Sequence, residues 1–189
     1  MPARLVRRAR SHRSRSTAIA LGSLFLTVAL AFGASACTPK PTVAGLDHKV
    51  FATPLPEFDR WWRGEQAAAN HVSRATVDRW WQRDPERLDS AAARRRPYDV
   101  STDFCSFAPE SGPGFDFRAP CVRHDFAWRN LKRLQSIIGG HIDTHARRLS
   151  ATRQFLADMR STCATRSLPN RAACGAVAAA YYRAVVAVS

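Results

Sequence analysis

The sequence has no run of alternating β-branched residues, which excludes a domain built on a sheet. It carries neither an HExxH string nor a CxxC pair, so the usual spacings of a zinc site are missing. No helix-turn-helix, RNP or zinc-finger pattern is present, which leaves basic charge as the sole argument for nucleic acid and counts against that partner. Lysine is scarce: Lys40, Lys49 and Lys132 are the only three among 29 basic residues. An excess that is almost all arginine fits a compositional bias better than selected phosphate binding. What the chain does have is enough apolar residues for a core, at 46% hydrophobic, with 23% charged and a net charge of +14 over 189 residues.

The first 16 residues contain arginines and no acid. They precede the apolar run 17–32 and the small-residue exit Gly33-Ala34-Ser35-Ala36, a pattern that reads as an export signal over 1–36. Setting that arm aside lowers the net charge to about +8, a surface suited to anionic lipid. The exit satisfies an A-x-A cleavage rule. With Cys37 behind it, the exit also resembles a bacterial lipobox, with Ala34 where Leu is more usual. Five cysteines occur, Cys37, Cys105, Cys121, Cys163 and Cys174, and an exported chain with an odd number has one to account for. If the four downstream cysteines pair, Cys37 is left over, and lipidation of Cys37 accounts for it. Ordinary secretion and an uncleaved signal anchor are the alternatives.

Residues 37–56, rich in Pro, Thr and small residues, are expected to be a linker or tether. The segment 57–97 then turns helical, with Phe58, Trp61 and Trp62 followed by Val77, Trp80 and Trp81 at helical spacing. Asp59-Arg60-Trp61-Trp62 recurs as Asp78-Arg79-Trp80-Trp81. Core packing is the expected role of these paired tryptophans, and insertion into a lipid interface the alternative. Residues 98–120 read as irregular. Helices are then expected over about 121–134, closed by Gly139-Gly140, over about 143–162, and over 171–188, the last too short for a bilayer span and carrying Arg183. The class is all-α.

Chemistry concentrates in Ser101-Thr102-Asp103-Phe104-Cys105 and in Cys121-Val122-Arg123-His124-Asp125-Phe126-Ala127-Trp128-Arg129-Asn130. His124 and Asp125 are helical neighbours about 100° apart and so serve adjacent sites. A bond between Cys105 and Cys121 would bring Asp103 to the start of the same helix. Two carboxylates with loop carbonyls are hard oxygen donors of the kind Ca²⁺ takes, and a histidine beside them can deprotonate water at neutral pH. That combination is suited to hydrolysing esters or phosphoesters.

These strings, with Phe155-x-x-Asp158-Met159-x-x-x-Cys163, Cys174 and Tyr181-Tyr182, resemble the secreted phospholipase A2 family of the prokaryotic and fungal type over 98–189. The resemblance implies a small disulfide-stapled helical domain in which two long helices carry a His/Ca²⁺ site, preceded here by the Trp-rich helices. It implies pairing of Cys105 with Cys121 and of Cys163 with Cys174. It makes His124 the base that activates water against the sn-2 ester of a glycerophospholipid. Asp103, Asp125 and the Phe104 carbonyl become the Ca²⁺ ligands, and the ion stabilises the oxyanion. The chain departs from the family in two places. Ala127 stands where glycine is usual, and counting back from Phe155 reaches Thr152 where the family has the aspartate that orients the histidine. Asp143, nine residues before Thr152, lies about 13 Å away along a helix and out of phase.

The expected function is therefore Ca²⁺-dependent phospholipase A2 activity, weakened by Thr152, at an anionic phospholipid surface. It needs no obligate protein partner, and the chain is exported and secreted or tethered to the outer face through Cys37. The alternative is a non-catalytic lipid- or surface-binding lipoprotein on the same fold.

Overall fold

A computed structural model describes residues 40–106 and 108–188. The leader over 1–36 and Cys37, to which export and lipidation were assigned, lie outside the described residues. Residues 43–52, which composition placed in a linker, are helical instead: α1 (Val43–Asp47) runs into a π-helical turn (His48–Ala52). The Thr42 hydroxyl caps α1 by accepting from the Gly45 amide, and Leu46 and Val50, one turn apart, are both buried. Those two apolar residues bury surface that an exposed tether would leave in water, which is why the segment folds down.

The Trp-rich part forms α2 (Leu55–Asn70) and α3 (Arg74–Arg83). Helix α2 ends at His71 in the left-handed conformation, and Ser73 caps α3 through the Thr76 amide. In each repeat the second tryptophan is buried, Trp62 at 0% and Trp81 at 5% exposure, and their rings meet edge to face at 5.6 Å. Trp61 and Trp80 are partly buried against the same cluster. The repeated aspartates also converge, since Arg63 bonds both Asp59 and Asp78 at 3.0 Å. Core packing is thus what the paired tryptophans do. Each fully buried large side chain contributes on the order of 2–3 kcal/mol. The polar atoms are also satisfied: Trp62 Nε1 donates to the Val100 carbonyl and Gln66 Nε2 to that of Leu88, both at 2.9 Å.

A 3₁₀ turn (Pro85–Leu88) and a short helix, α4 (Ala91–Arg94), follow. The stretch 98–120 is mostly irregular, but Ser111–Gly112 (β1) pairs antiparallel with Phe115–Asp116 (β2) across a turn in which Gly114 takes φ +87°. Three helices complete the chain: α5 (Arg118–Ile138), closed at Gly139 with φ +81°, α6 (His145–Ala164), and α7 (Leu168–Val188). Helix α7 is longer than expected because Pro169 fits its first turn. At 21 residues, with a mean hydropathy of 1.2 over an 18-residue stretch, it is long and apolar enough to cross a membrane by length and composition. Here it lies on α6, burying Cys174 and Ala178.

One face of α5 packs with Phe126, Leu131 and Leu134 against α1–α4. Its N-terminal part joins Phe155 and Met159 of α6 in a second apolar cluster with α7. Cys105–Cys121 ties the irregular loop to α5, and Cys163–Cys174 ties α6 to α7. The disulfide-stapled helical architecture, with α5 and α6 as its long antiparallel spine, is the one the sequence led us to expect.

Candidate active site

The loop before Cys105 is held to α5 by one side chain. Asn130 accepts the Asp99 amide and donates to the Asp99 carbonyl, each at 2.8 Å, while also bonding the Phe126 carbonyl on its own helix. Asp99 in turn accepts the Ser101 amide at 2.9 Å. The loop then passes through Phe104, a non-glycine residue at φ +59°, a conformation costing about 1–2 kcal/mol. Its ring, 6% exposed and 5.3 Å from that of Trp81, offsets the strain by burial. The Thr102 hydroxyl accepts the Phe104 amide at 3.0 Å and completes the turn.

This path brings Asp103 to Asp125. The Asp103 amide lies 3.3 Å from Asp125 Oδ2, and Arg129, one helical turn past Asp125, bridges the two carboxylates. Arg129 Nε sits 2.7 Å from Asp125 Oδ1, and Nη2 sits 2.8 Å from Asp103 Oδ1. The other Asp103 oxygen accepts from the Ser106 hydroxyl at 2.9 Å. The environments separate the two acids. Burial raises Asp103, but the bonds from Arg129 and Ser106 outweigh it and hold the carboxyl below its ordinary range. Burial dominates at Asp125 and pushes its carboxyl up to about 6 in spite of Arg129. Arg129 is itself held more firmly protonated: burial works against its charge, and the two aspartates prevail.

His124 projects between α5 and α6. Its ring lies 4.9 Å from that of Phe155 and 5.2 Å from that of Trp128. Burial alone pushes its pKa down to about 4, so the imidazole is neutral at pH 7. Nε2 lies 3.2 Å from the Thr152 hydroxyl, which spends its single proton on the Arg148 carbonyl at 3.0 Å. With that proton on Arg148, the Thr152 oxygen accepts toward the imidazole, and this hydrogen-bond pattern assigns the hydrogen to Nε2 and the lone pair to Nδ1. Asp143, the other acid considered for this position, is committed to Arg148.

The structure thus brings together His124 with Thr152, and Asp103 and Phe104 with Asp125. Sequence reasoning gave no role to Arg129, although its spacing of four from Asp125 on a helix was the available signal. It also passed over Trp128 and Phe155 as walls of the imidazole. Among the described residues no group of three or more His, Cys, Asp or Glu side chains could hold a metal. The donor set nonetheless suits a hard divalent cation: two carboxylates lie beside the loop that carries the Phe104 carbonyl, and at Asp125 burial outweighs Arg129, so its charged form would gain from a further cation.

A buried neutral imidazole with an oriented tautomer beside paired carboxylates, on a disulfide-stapled pair of antiparallel helices, defines a hydrolase-type site on a small helical scaffold. The model of the prokaryotic phospholipase A2 family matches residues 74–189, and the chain belongs to that family. A secretory phospholipase A2 of Arthroderma benhamiae (strain ATCC MYA-4681 / CBS 112371) is 37% identical over 65 residues, which is 34% of this chain and 40% of that protein.

Proposed function

We propose that the chain hydrolyses the sn-2 ester of glycerophospholipids, releasing fatty acid and lysophospholipid. The observation that carries this reading is the placement of His124: a buried ring paired through Nε2 with the Thr152 hydroxyl, a contact that assigns the hydrogen to Nε2 and leaves Nδ1 to accept a proton. In the first step Nδ1 takes a proton from water as the water oxygen adds to the ester carbonyl carbon. In the second, the same nitrogen returns that proton to the departing glycerol oxygen as the acyl C–O bond breaks. Phe155 and Trp128, both tilted against the ring, flank it and shield it from bulk water. Asp103, Asp125 and the carbonyl of Phe104 are the groups that would hold Ca²⁺, which when bound supplies positive charge for the phosphate and the oxyanion.

Thr152 sets the expected rate. A carboxylate there would stabilise the imidazolium that forms when Nδ1 is protonated, whereas a hydroxyl orients the ring without adding charge. We therefore read the activity as weak. The same residue motivates a second reading, a non-catalytic phospholipid-binding protein on this fold.

The two disulfides fit an oxidising compartment, and the matching relative is secretory. On that basis we place the chain outside the cytoplasm, with Cys37 as the candidate anchor and an anionic phospholipid surface as its partner. Release of labelled fatty acid from anionic vesicles, in CaCl₂ and in EDTA, tests the reading. Wild type should release it only with Ca²⁺, and His124→Ala should release none. Equal release by the variant refutes the catalytic role, and vesicle binding with no release by either favours the second reading.

A further inference from the structure

Arg118, Arg123, Arg147 and Arg148 each grip a single aspartate through both of its oxygens. Arg63, which spans Asp59 and Asp78 on α2 and α3, and Arg129 do something different, and only Arg129 does it between the candidate ligands. Arg129 divides its guanidinium between two carboxylates, one oxygen of each, and turns its remaining nitrogen to the Ser101 hydroxyl at 3.1 Å and to a third carboxylate, Asp89, at 3.5 Å. The fork-to-fork match that makes an arginine–carboxylate pair strong is given up here in favour of bridging. Bridging two carboxylates by single oxygens is what a bound metal cation does. The arginine also joins the two ends of a disulfide-closed loop, since Asp103 precedes Cys105 and Asp125 follows Cys121.

We propose that Arg129 is a resident stand-in for the divalent cation. It holds Asp103 and Asp125 together when no ion is bound and competes with the ion for them, and Asp89 is the carboxylate that receives it when it yields. The proposal rests on the reading that Asp103 and Asp125 hold Ca²⁺. Its physical basis is charge. With the site filled, a guanidinium at bonding distance from both ligands is repelled by the ion, so part of the ion's binding free energy goes to moving it. Without the ion, two carboxylates joined by a single 3.3 Å amide contact would repel one another unless a cation lies between them. Asp89 lies outside the motif strings; its side chain, 30% exposed, is paired with Arg94 through both oxygens, and Arg129 already approaches one of them at 3.5 Å, so shifting toward it needs only a small movement.

The test compares the wild-type chain with Arg129→Gln and Asp89→Asn, measuring Ca²⁺ affinity by calorimetric titration with CaCl₂ and melting temperature in EDTA and in saturating CaCl₂. Arg129→Gln should melt lower than wild type in EDTA, recover in CaCl₂, and bind Ca²⁺ about five-fold more tightly, the scale of one partly exposed ion pair. Asp89→Asn should bind it about two-fold more weakly, because the guanidinium loses its second partner. Weaker binding by Arg129→Gln would make Arg129 an organiser of the site and overturn the proposal. An unchanged affinity with a melting deficit that persists in CaCl₂ would reduce it to an ordinary ion pair. If Arg129→Gln does not fold, Arg129→Lys serves, since a point charge cannot bridge; it should lie between wild type and the glutamine variant's expected affinity, and wild-type affinity refutes the idea. Cation-dependent hydrolysis by wild type, measured separately, tells which idea has failed. If it persists while Arg129→Gln keeps wild-type affinity, only the role of Arg129 falls, whereas its absence together with absent Ca²⁺ binding removes both.

Discussion

Replacing Thr152 isolates what the missing carboxylate is worth. Its side chain is fully buried, accepts from His124 Nε2 at 3.2 Å, and donates to the Arg148 carbonyl at 3.0 Å. Thr152→Val removes the acceptor with little change of shape and leaves a buried N–H without a partner, which should lower stability by about 1–3 kcal/mol. It also frees the ring to exchange tautomers, so kcat should fall at least about ten-fold. Thr152→Asp replaces a neutral acceptor by a charged one. A neutral hydrogen bond is worth about 0.5–1.5 kcal/mol and one to a charged group about 1.5–3, so the imidazolium should gain about 1–2 kcal/mol. That difference corresponds to roughly a 5- to 30-fold rise in kcat. The gain should stay well below the factor of about 10⁴ lost where a wrong tautomer results, because the threonine already selects the tautomer. Thr152→Asn, a neutral acceptor, should remain near wild type. The assay is initial rate of fatty-acid release from anionic vesicles in saturating CaCl₂, with urea unfolding run in parallel. Wild-type rates for both Thr152→Val and Thr152→Asp in folded protein would show that the hydroxyl does not orient His124, and the reasoning would fail.

Three further outcomes can be checked. Asp125, raised to about 6, favours the folded state at low pH and loses that contribution as pH rises through 6, whereas His124, lowered to about 4, contributes above 6.5 and loses its part as pH falls toward 4. The two oppose each other, while Asp158, also raised by burial, adds to the loss as pH rises; His124→Asn should therefore make urea midpoints in EDTA fall more steeply between pH 4 and 6 than in wild type, and an unchanged or shallower slope would contradict the assignment. Because the ion needs ionised Asp125, Ca²⁺ affinity should hold above pH 7 and fall about ten-fold per unit well below 6. In the core, Trp62→Ala should cost about 3–5 kcal/mol in urea unfolding, and a loss under about 1 kcal/mol would mean that the tryptophan is not the centre of its cluster.

The residues that name the family sit in short strings, and short strings are what a linear chain displays. Asp103, His124 and Asp125 were legible as candidates because each is of a chemically distinctive type within a dense motif. The helices around them were legible because apolar spacing and glycine stops are local properties, as at Gly139. Residues 43–52 were not, because Pro and Thr nearby read as tether and only the groove beneath Leu46 and Val50 makes them helical. Arg129 was visible but unassigned. Its partners Asp89, Asp103 and Asp125 lie 40, 26 and 4 residues away, and no local spacing reports on three such distances at once.

By itself, the sequence determined the helical class and the four cysteines available for staples, and offered the histidine and the paired acids as candidates, because composition, periodicity and motif spacing are one-dimensional quantities. Tertiary structure decided three things. It buried Trp62 and Trp81 in the core, placed Arg129 between the carboxylates, and gave His124 a hydroxyl partner whose own proton is already committed. Each of these depends on which helix faces meet, and that is settled by the joint burial of apolar surface from distant segments.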